Sequence, residues 1–371
     1  MKKAKGFGNA VSIIASLVPV PARLSVLAWL TRRRYHAPGL VFPFVFSTPA
    51  KLLFIMPEDP LAALHQISGC CALASHFKNA HLTVLCRRLI TPFFRTLAAV
   101  KDFIEYDTKD RYPFSKEFAR IGTAVSGEQY DVCVLFDPEP DISLLYLCGQ
   151  SAAAVRIGFA GAGSHPFLNM QVRPSAKRAY CTDQGLLLAS VLGAPLQKKT
   201  QWTVAKDAIA EVNFLLGELK VDAHSHLTGL DAGYFLHAFG ERWTQSLIER
   251  MKKFRRAWYL FSFEEPDEAT AEWLGSHGLP VFSNLPASRC AALVNKSEFI
   301  VAGASVLFEL ADVLRRPVIG ILSDTQSVRY FRETETTGEI RYADAKRPDE
   351  SVIDAIERRI ADFRPRPSDV P

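Results

Sequence analysis

The sequence lacks the short motifs that mark most metal sites and disulfide frameworks. Its seven cysteines are odd in number and irregularly spaced, and no C-x-x-C pair occurs. This pattern argues against a disulfide framework and a zinc site and indicates a reducing compartment. A D-x-D pair, a glycine-rich phosphate loop and a Ser-His-Asp arrangement are also absent. Asp222, His224 and His226 are the closest group of metal-ligand types, but their setting among Ser, Thr and Gly favours a solvated loop. We therefore expect no bound metal.

Acidic residues are missing from the first 50 positions, which contain seven Lys and Arg residues. This segment has a formal charge of +7, whereas the whole chain has +5 and the other 321 residues about −2. An uninterrupted apolar run of about 20 residues is also missing, because Pro19 and Pro21 break the stretch 10–30. A membrane-spanning helix is therefore not expected. The basic residues are not accompanied by a nucleic-acid-binding module, so nucleic acid is not an expected partner.

Three interpretations of residues 1–45 remain open. A secretory signal fits the lysines that precede the apolar run, with a tolerable cleavage site at 20–22. A pair of helices packed on the protein body is the second interpretation. The third, which we favour, is an anchor on an anionic membrane surface, because the interfacial Trp29 is followed closely by three arginines at 32–34.

Short apolar strands alternate with helical spacings from residue 51 onward. In the first half the predicted strands are KLLFIM, HLTVLC, DFIEYD, YDVCVLFD and VRIGFA. In the second half they are GYFLHAF, AWYLFSF, LPVFS, EFIVAG and PVIGIL. Predicted helices of the second half cover 241–255, 266–277, 287–295 and 305–315, and ESVIDAIERRIADF forms the last one. Such alternation predicts parallel βαβ units and an α/β fold.

The length of 371 residues suits two α/β domains. The pattern predicts five parts, which are a basic apolar segment (1–45), a Rossmann-like domain (46–200), a connection (201–228), a second Rossmann-like domain (229–345) and a helix with a tail (346–371). Ligands of such sheets bind outside the carboxyl ends of the strands. We therefore expect two Rossmann-like halves that face a cleft.

Three ordered stretches between residues 51 and 325 carry a resemblance to a known family. They are YDVCVLFDPEPDISLLYLCGQSAAAVRIGFAG, FLHAFGERW and RCAALVNKSEFIVAGASVLFELADVLRRPVIGIL. In order and apolar pattern they resemble glycosyltransferase family 9, the ADP-heptose:lipopolysaccharide heptosyltransferases. In the first stretch Asp131, Asp137, Ser143 and the run 156–159 fall in register with the family. The resemblance implies a GT-B type fold, an acceptor domain followed by a donor domain, and sugar transfer from a nucleotide sugar without metal or cofactor.

Several polar positions depart from the family pattern. Met56-Pro57-Glu58-Asp59-Pro60 stands where the family has Gly-Asp after its first strand. Ala304 and Val306 replace an Asp and a Gly, and Glu309 replaces a His. Glu241 stands at the Lys of a K-x-W motif, next to Arg242. These changes predict either a donor other than ADP-heptose or the loss of catalysis.

The resemblance assigns donor binding to the amino end of the helix predicted at 305–315, where free N–H groups can receive a phosphate. The donor-binding candidates are Arg242, Gly303, Ser305 and Glu309. Each polar one also has a structural alternative. Arg242 can be a solvated helix residue, Ser305 a helix N-cap, and Glu309 either an acceptor for ribose hydroxyls or a salt-bridge partner of Arg315 or Arg316.

The same resemblance assigns the base that deprotonates the acceptor hydroxyl to Asp59, although a carboxylate there also suits a helix N-cap. The acceptor-binding candidates are Glu58, Asp137, Glu139 and Asp141. Three of them belong to the acidic loop 137–141, which follows a buried strand. The alternative for Asp141 is the cap of a helix that starts at residue 142.

Together these features predict a divergent, inverting sugar transferase that is peripheral on the cytoplasmic face of the inner membrane. Its expected partners are a nucleotide sugar such as an ADP-sugar, a lipid-linked or lipopolysaccharide-type glycan acceptor, and the anionic membrane surface. The alternative is a catalytically inactive heptosyltransferase-like protein that binds a glycan or a partner in envelope glycan biogenesis.

Overall fold

A computed structural model describes most of the chain from residue 49 to residue 362. The positions left out of this range are 96, 98, 109–113, 162, 165, 174–180, 196–202, 222–226, 255, 332–336 and 344–347. The segment 1–45, the loop with Asp222, His224 and His226, and the end of the predicted tail therefore lie outside the described residues. The chain divides into two units, Met1–Gln201 and Trp202–Pro371. In the part that is described, no helix is both long and apolar enough to cross a bilayer.

The first unit contains a six-stranded sheet in which all neighbouring strands are parallel. Its strands are β1 (Lys51–Ile55), β2 (His81–Arg87), β3 (Val100–Tyr106), β4 (Val132–Leu135), β5 (Val155–Phe159) and β6 (Met170–Val172). Their spatial order is β3-β2-β1-β4-β5-β6. All four residues of β4 and the last four of β1 are buried, as expected for central strands of a parallel sheet covered on both faces. This burial explains why LLFI and VCVL read as continuous apolar runs.

Six helices accompany this sheet in the described part of the first unit. They are α1 (Pro60–His65), α2 (Ile67–His76), α3 (Thr91–Arg95), α4 (Lys116–Ser126), α5 (Ile142–Gln150) and α6 (Cys181–Val191). Helices α2 and α6 approach each other at two glycines, because a Cβ on Gly69 would lie 2.4 Å from the carbonyl carbon of Gly185. Strand β6 and helix α6 were not predicted from the sequence.

The second unit repeats the sheet of the first. Its strands are β7 (Leu227–Leu230), β8 (Ala257–Ser262), β9 (Val281–Ser283), β10 (Phe299–Ala302), β11 (Val318–Ser323) and β12 (Thr337–Tyr342). They lie in the order β12-β11-β10-β7-β8-β9, again with parallel neighbours. Numbered within its own unit, each sheet therefore has the order 3-2-1-4-5-6 of a Rossmann fold.

Eight helices are described in the second unit. They are α7 (Lys206–Glu218), α8 (Ala232–Phe239), α9 (Glu241–Met251), α10 (Glu268–Gly275), α11 (Ala287–Lys296), α12 (Val306–Val313), α13 (Asp324–Tyr330) and α14 (Glu350–Asp362). Helix α7 lies within the stretch 201–228 that we predicted as a connection. It packs against α11, where the Arg289 Nε and the Glu211 Oε2 form an ion pair of 2.5 Å.

One prediction about the second unit is wrong. The segment GYFLHAF is helical and forms most of α8, and the strand that opens the unit is the preceding LTGL of β7. Phe235 and Phe239, four residues apart, stack on one buried face of α8, and Phe239 meets Trp243 of α9 edge-on with 4.7 Å between the ring centroids. A short apolar run does not distinguish a strand from a buried helix. As a consequence, the residue that follows the first strand of this unit is Asp231.

Candidate functional site

Each sheet has a point at which its strand order reverses, and open α/β sheets bind ligands there, outside the carboxyl ends of the strands. In the first unit this point lies between β1 and β4, and in the second between β7 and β10. The first is bordered by the turns 56–59 and 136–141. The second is bordered by Asp231 and by the turn 303–305.

Asp59, the predicted base, lies at the carboxyl end of β1 and is exposed. Its Oδ1 accepts a hydrogen bond of 2.8 Å from the backbone N–H of Ala62, so that Asp59 is the N-cap of α1. Pro60 occupies the first helical position, where its missing N–H costs nothing. The cap involves only one of the two carboxylate oxygens, and the other oxygen can contact a ligand.

The acidic loop 137–141 lies at the carboxyl end of β4. The Asp137 Oδ1 accepts a hydrogen bond of 3.0 Å from the backbone N–H of Glu139, which closes a local turn. The Asp141 Oδ1 accepts bonds of 3.0 Å from the N–H groups of Ser143 and Leu144 and caps α5. Glu139 is exposed. Two of the three predicted acceptor-binding carboxylates of this loop thus also order the backbone around them.

A cation that the sequence analysis did not select lies at the same edge. Arg87 is the last residue of β2, and its Nη1 donates a hydrogen bond of 3.2 Å to the backbone oxygen of Glu58. Arg87 thereby links the end of β2 to the turn with Glu58 and Asp59, the two candidates that follow β1. Its position at the carboxyl end of the predicted strand HLTVLC was the signal that could have identified it. By contrast Arg156, which matches the family stretch, is 6% exposed and donates to the carbonyl oxygens of Phe167 and Ala153, as a structural residue does.

In the second unit, Ser305 is the N-cap of α12. Its Oγ accepts a hydrogen bond of 3.4 Å from the backbone N–H of Phe308 and donates one to the Asp231 Oδ2. The two residues are 74 positions apart in the sequence and come together because β7 and β10 are neighbours in the sheet. Sequence analysis missed Asp231, since it assigned the opening strand to residues further along the chain.

Burial determines the electrostatics of Asp231. The residue is 3% exposed, and loss of hydration raises the pKa of its carboxyl group from 3.8 to about 7, although hydrogen bonding from Ser305 and from the Tyr234 backbone acts in the opposite direction. Asp231 therefore changes its charge near neutral pH.

Gly303 is required by the close approach of an aromatic ring. A Cβ at this position would lie 1.9 Å from the Cε1 of Tyr234, a residue of α8. The Gln326 amide group, on α13, donates a hydrogen bond of 3.2 Å to the Tyr234 Oη. Gln326 is itself held by a capping box with Ser323. The site thus brings together three polar side chains, of Asp231, Tyr234 and Gln326, around the turn that carries Ser305.

The remaining donor candidates differ in exposure. Glu309 lies in the first turn of α12 and is only 1% exposed, whereas Arg242 is exposed near the start of α9. Arg316, one of the predicted partners of Glu309, donates a hydrogen bond of 3.0 Å to the Asn295 Oδ1. The stretches 231–234, 303–305 and 324–326, which follow β7, β10 and β11, contain no Lys, Arg or His. These three stretches are therefore acidic or neutral.

The metal-ligand types and the cysteines form no further site in the described residues. No three His, Cys, Asp or Glu side chains of this part of the chain are close enough to hold a metal ion. All seven cysteines are free, and five of them are buried.

No family model matches the sequence. No curated protein matches it either.

Solved structures, in contrast, match over most of their length. The ADP-heptose lipopolysaccharide heptosyltransferase II of E. coli matches with a TM-score of 0.65 and 17% identity, over 84% of this chain and 96% of that chain. A family 9 glycosyltransferase from Veillonella parvula DSM 2008 matches with a TM-score of 0.66 and 11% identity, over 86% and 92% of the two chains. The E. coli heptosyltransferase WaaC with ADP-2-deoxy-2-fluoro heptose matches with a TM-score of 0.61 and 15% identity, over 84% and 99%. The predicted GT-B type α/β fold with two Rossmann-like units is thereby confirmed.

Proposed function

We propose that this chain is a glycosyltransferase that moves a sugar from a nucleotide-sugar donor to a glycan acceptor. The main support is that it shares its fold with heptosyltransferases over 84% of its own length and 96% to 99% of theirs. One of those structures contains ADP and another contains an ADP-sugar analogue. In addition, polar side chains lie at the reversal point of each sheet, which is where such folds bind ligands.

In this proposal the first unit activates the acceptor. Asp59 takes the proton of the acceptor hydroxyl, whose oxygen attacks the anomeric carbon of the donor sugar as the bond from that carbon to the diphosphate oxygen breaks. The configuration at the anomeric carbon is inverted because attack and departure occur on opposite faces. Glu58, Asp137, Glu139 and Asp141 are the proposed acceptor-binding residues.

The second unit binds the donor. The free N–H groups and the dipole at the amino end of α12 receive the diphosphate and stabilise the charge that develops as it leaves. Ser305 and the backbone at Gly303 lie at this end of the helix. Arg242 is the proposed cation and Glu309 the proposed polar residue of the same region.

For the acceptor we propose a lipid-linked or lipopolysaccharide-type glycan, and for the place of action the cytoplasmic face of the inner membrane. One matching heptosyltransferase is named for lipopolysaccharide. The formal charge of +7 in the first 50 residues suits a surface of anionic lipids.

A second function, binding of a glycan or a partner without catalysis, is favoured by one observation. Asp231 and Glu309 place two buried carboxyl groups around the first turn of α12, where the transferase needs to receive negative charge. Ionised carboxylates in that position oppose a diphosphate, as like charges do in a low dielectric.

A thermal-shift screen of the full chain against ADP-, UDP-, GDP- and CMP-sugars separates the two functions. A transferase is expected to be stabilised by one of them, by about 2.7 kcal/mol at about 100 times its dissociation constant. Incubation with that nucleotide sugar and a lipid-linked glycan should then release the free nucleotide. Stabilisation by glycans alone, with no response to any nucleotide sugar, would support the binding function and refute the transferase.

A further inference from the structure

We propose that the Asp231 carboxyl group is a charge filter on the donor site, which opposes the donor diphosphate when it is ionised and admits it when it is protonated. The inference rests on the proposed transferase function and identifies the residue that controls donor binding. Asp231 was not among the site residues predicted from the sequence.

Asp231 and a bound phosphate compete for the hydroxyl hydrogen of Ser305. The Ser305 Oγ already accepts the N–H of Phe308 and donates its only hydrogen to the Asp231 Oδ2. A phosphate oxygen at the amino end of α12 would accept that same hydrogen. An ionised Asp231 competes for this hydrogen more strongly than a protonated Asp231 does, because hydrogen bonds to charged acceptors are stronger than those to neutral ones. Protonation of Asp231 weakens its hold on the hydroxyl and allows Ser305 to turn toward a ligand.

The burial of Asp231 strengthens the effect of its charge on a neighbouring anion. Asp231 is 3% exposed, so that little water lies around its charge to screen it from a neighbouring anion. The repulsion between two charges grows as the effective dielectric constant falls. The stretches that follow β7, β10 and β11 provide no Lys, Arg or His to offset it. The charge of Asp231 therefore acts directly on whatever binds at α12.

Two tyrosines lie close enough to Asp231 to interact with its charge. Tyr234 on α8 and Tyr259 on β8 both have their pKa raised by burial, so both stay uncharged at neutral pH. Glu309 on α12 is buried as well, and Asp324 at the start of α13 is exposed. Burial raises the pKa of Asp231 to about 7, which places its change of charge within the working range of most cells.

The direction of the pH effect follows from this charge. A bound diphosphate stabilises the protonated carboxyl group, so donor affinity is highest below about pH 6 and falls as the pH rises through 7. If the bound diphosphate raises the pKa of Asp231 by about one unit, the affinity drops about tenfold in total. The neutral side chain of an Asp231→Asn variant removes this dependence and keeps the high affinity at every pH.

The test measures the affinity of the full chain for ADP-glucose and UDP-glucose by calorimetry at about pH 6 and about pH 8.5. These diphosphate diesters keep their charge across that range, so the ligand itself adds no titration. The variants are Asp231→Asn and, as a matched control, Asp267→Asn, which makes the same change at an exposed helix cap of the same unit. Circular dichroism establishes that each variant is folded, and Ser305→Ala serves as a second variant that removes the contested hydroxyl.

The proposal expects about tenfold weaker binding at the higher pH for the wild type and the Asp267→Asn control, and equally tight binding at both values for Asp231→Asn. Binding by the wild type at the lower pH only, with binding by Asp231→Asn at both, also supports it. A pH dependence that persists in folded Asp231→Asn, or a weaker affinity of that variant at the higher pH, overturns the filter but leaves the transferase intact. If Asp231→Asn does not fold, equal binding by the wild type at both pH values overturns the filter, whereas a smaller pH dependence in Ser305→Ala than in the wild type supports it. No binding by any variant at either pH overturns the filter, and the proposed function falls as well if the thermal-shift screen shows no response to any nucleotide sugar.

Discussion

Replacing Asp231 by Asn should change how the stability of the second unit depends on pH. The carboxyl group is 3% exposed, and burial raises its pKa in the folded chain from 3.8 to about 7. Between those two values the folded state holds a proton that the unfolded state has released, so the free energy of unfolding falls as the pH rises. Above pH 7 the carboxyl group is ionised in both the folded and the unfolded state, so the free energy of unfolding decreases no further through this group. Asn has nearly the same shape and does not titrate.

The expected loss of unfolding free energy follows from the difference between the folded and unfolded pKa of Asp231. Each pKa unit corresponds to about 1.36 kcal/mol, so the wild type should lose about 2 to 3 kcal/mol between pH 5 and pH 8 that Asp231→Asn retains. Other groups titrate in both proteins and cancel in the comparison. For a unit of this size the difference corresponds to about 5 to 10 °C in the melting temperature.

Tryptophan fluorescence during urea unfolding is a suitable assay. Four of the five tryptophans, at 202, 243, 258 and 273, belong to the second unit, so the signal reports mainly on the unit that contains Asp231. Asp267→Asn, at an exposed helix cap with its pKa lowered by hydrogen bonds, should show no such difference between the two pH values. If the gap in unfolding free energy between wild type and Asp231→Asn is the same at pH 5 and pH 8, Asp231 is not a buried group that ionises near neutral pH.

Three further predictions concern other parts of the chain. Asp59→Asn keeps the cap of α1 but removes the proposed base, so turnover should fall about 100-fold with little change in melting temperature. The control Asp267→Asn should stay active, and full turnover by Asp59→Asn would exclude the mechanism. Gly303→Ala places a Cβ 1.9 Å from the Tyr234 ring and should lower the free energy of unfolding, measured in urea, by about 1 to 3 kcal/mol. An unchanged free energy of unfolding would contradict this packing. Deletion of residues 1–45 should release the protein from vesicles of anionic lipid, and salt should weaken the binding of the intact chain. If the shortened and intact chains bind the vesicles equally, the segment is not a membrane anchor.

Much of the fold follows from the sequence because parallel strands covered on both faces must be apolar throughout. The runs LLFI in β1, VCVL in β4 and FIVA in β10 are such strands, and the structure places each at the centre of its sheet. The helix predicted at 305–315 is also present, as α12. The pattern of three stretches predicted the GT-B type fold correctly, although the sequence identity to the matching structures is only 11% to 17%.

Local pattern was insufficient where an element is short or rich in aromatic residues. Strand β6 is only the three residues MQV, with an exposed polar residue at its centre, so no apolar run marks it. The run GYFLHAF resembles a strand by composition, yet its Phe235 and Phe239 lie at helical spacing on a buried face of α8. Tertiary packing determines the conformation of such runs, because their apolar residues are compatible with both periods.

At the candidate site, the sequence by itself determined the capping residues and the strand ends on which they lie. Asp59, Asp141 and Ser305 are side chains that cap helices wherever they precede one, so their positions follow from local chemistry. Only the tertiary structure brought Asp231 to Ser305. Strand order places β7 beside β10 and removes water from between their ends, and this burial, which no local pattern contains, turns an ordinary aspartate into a group that titrates near pH 7.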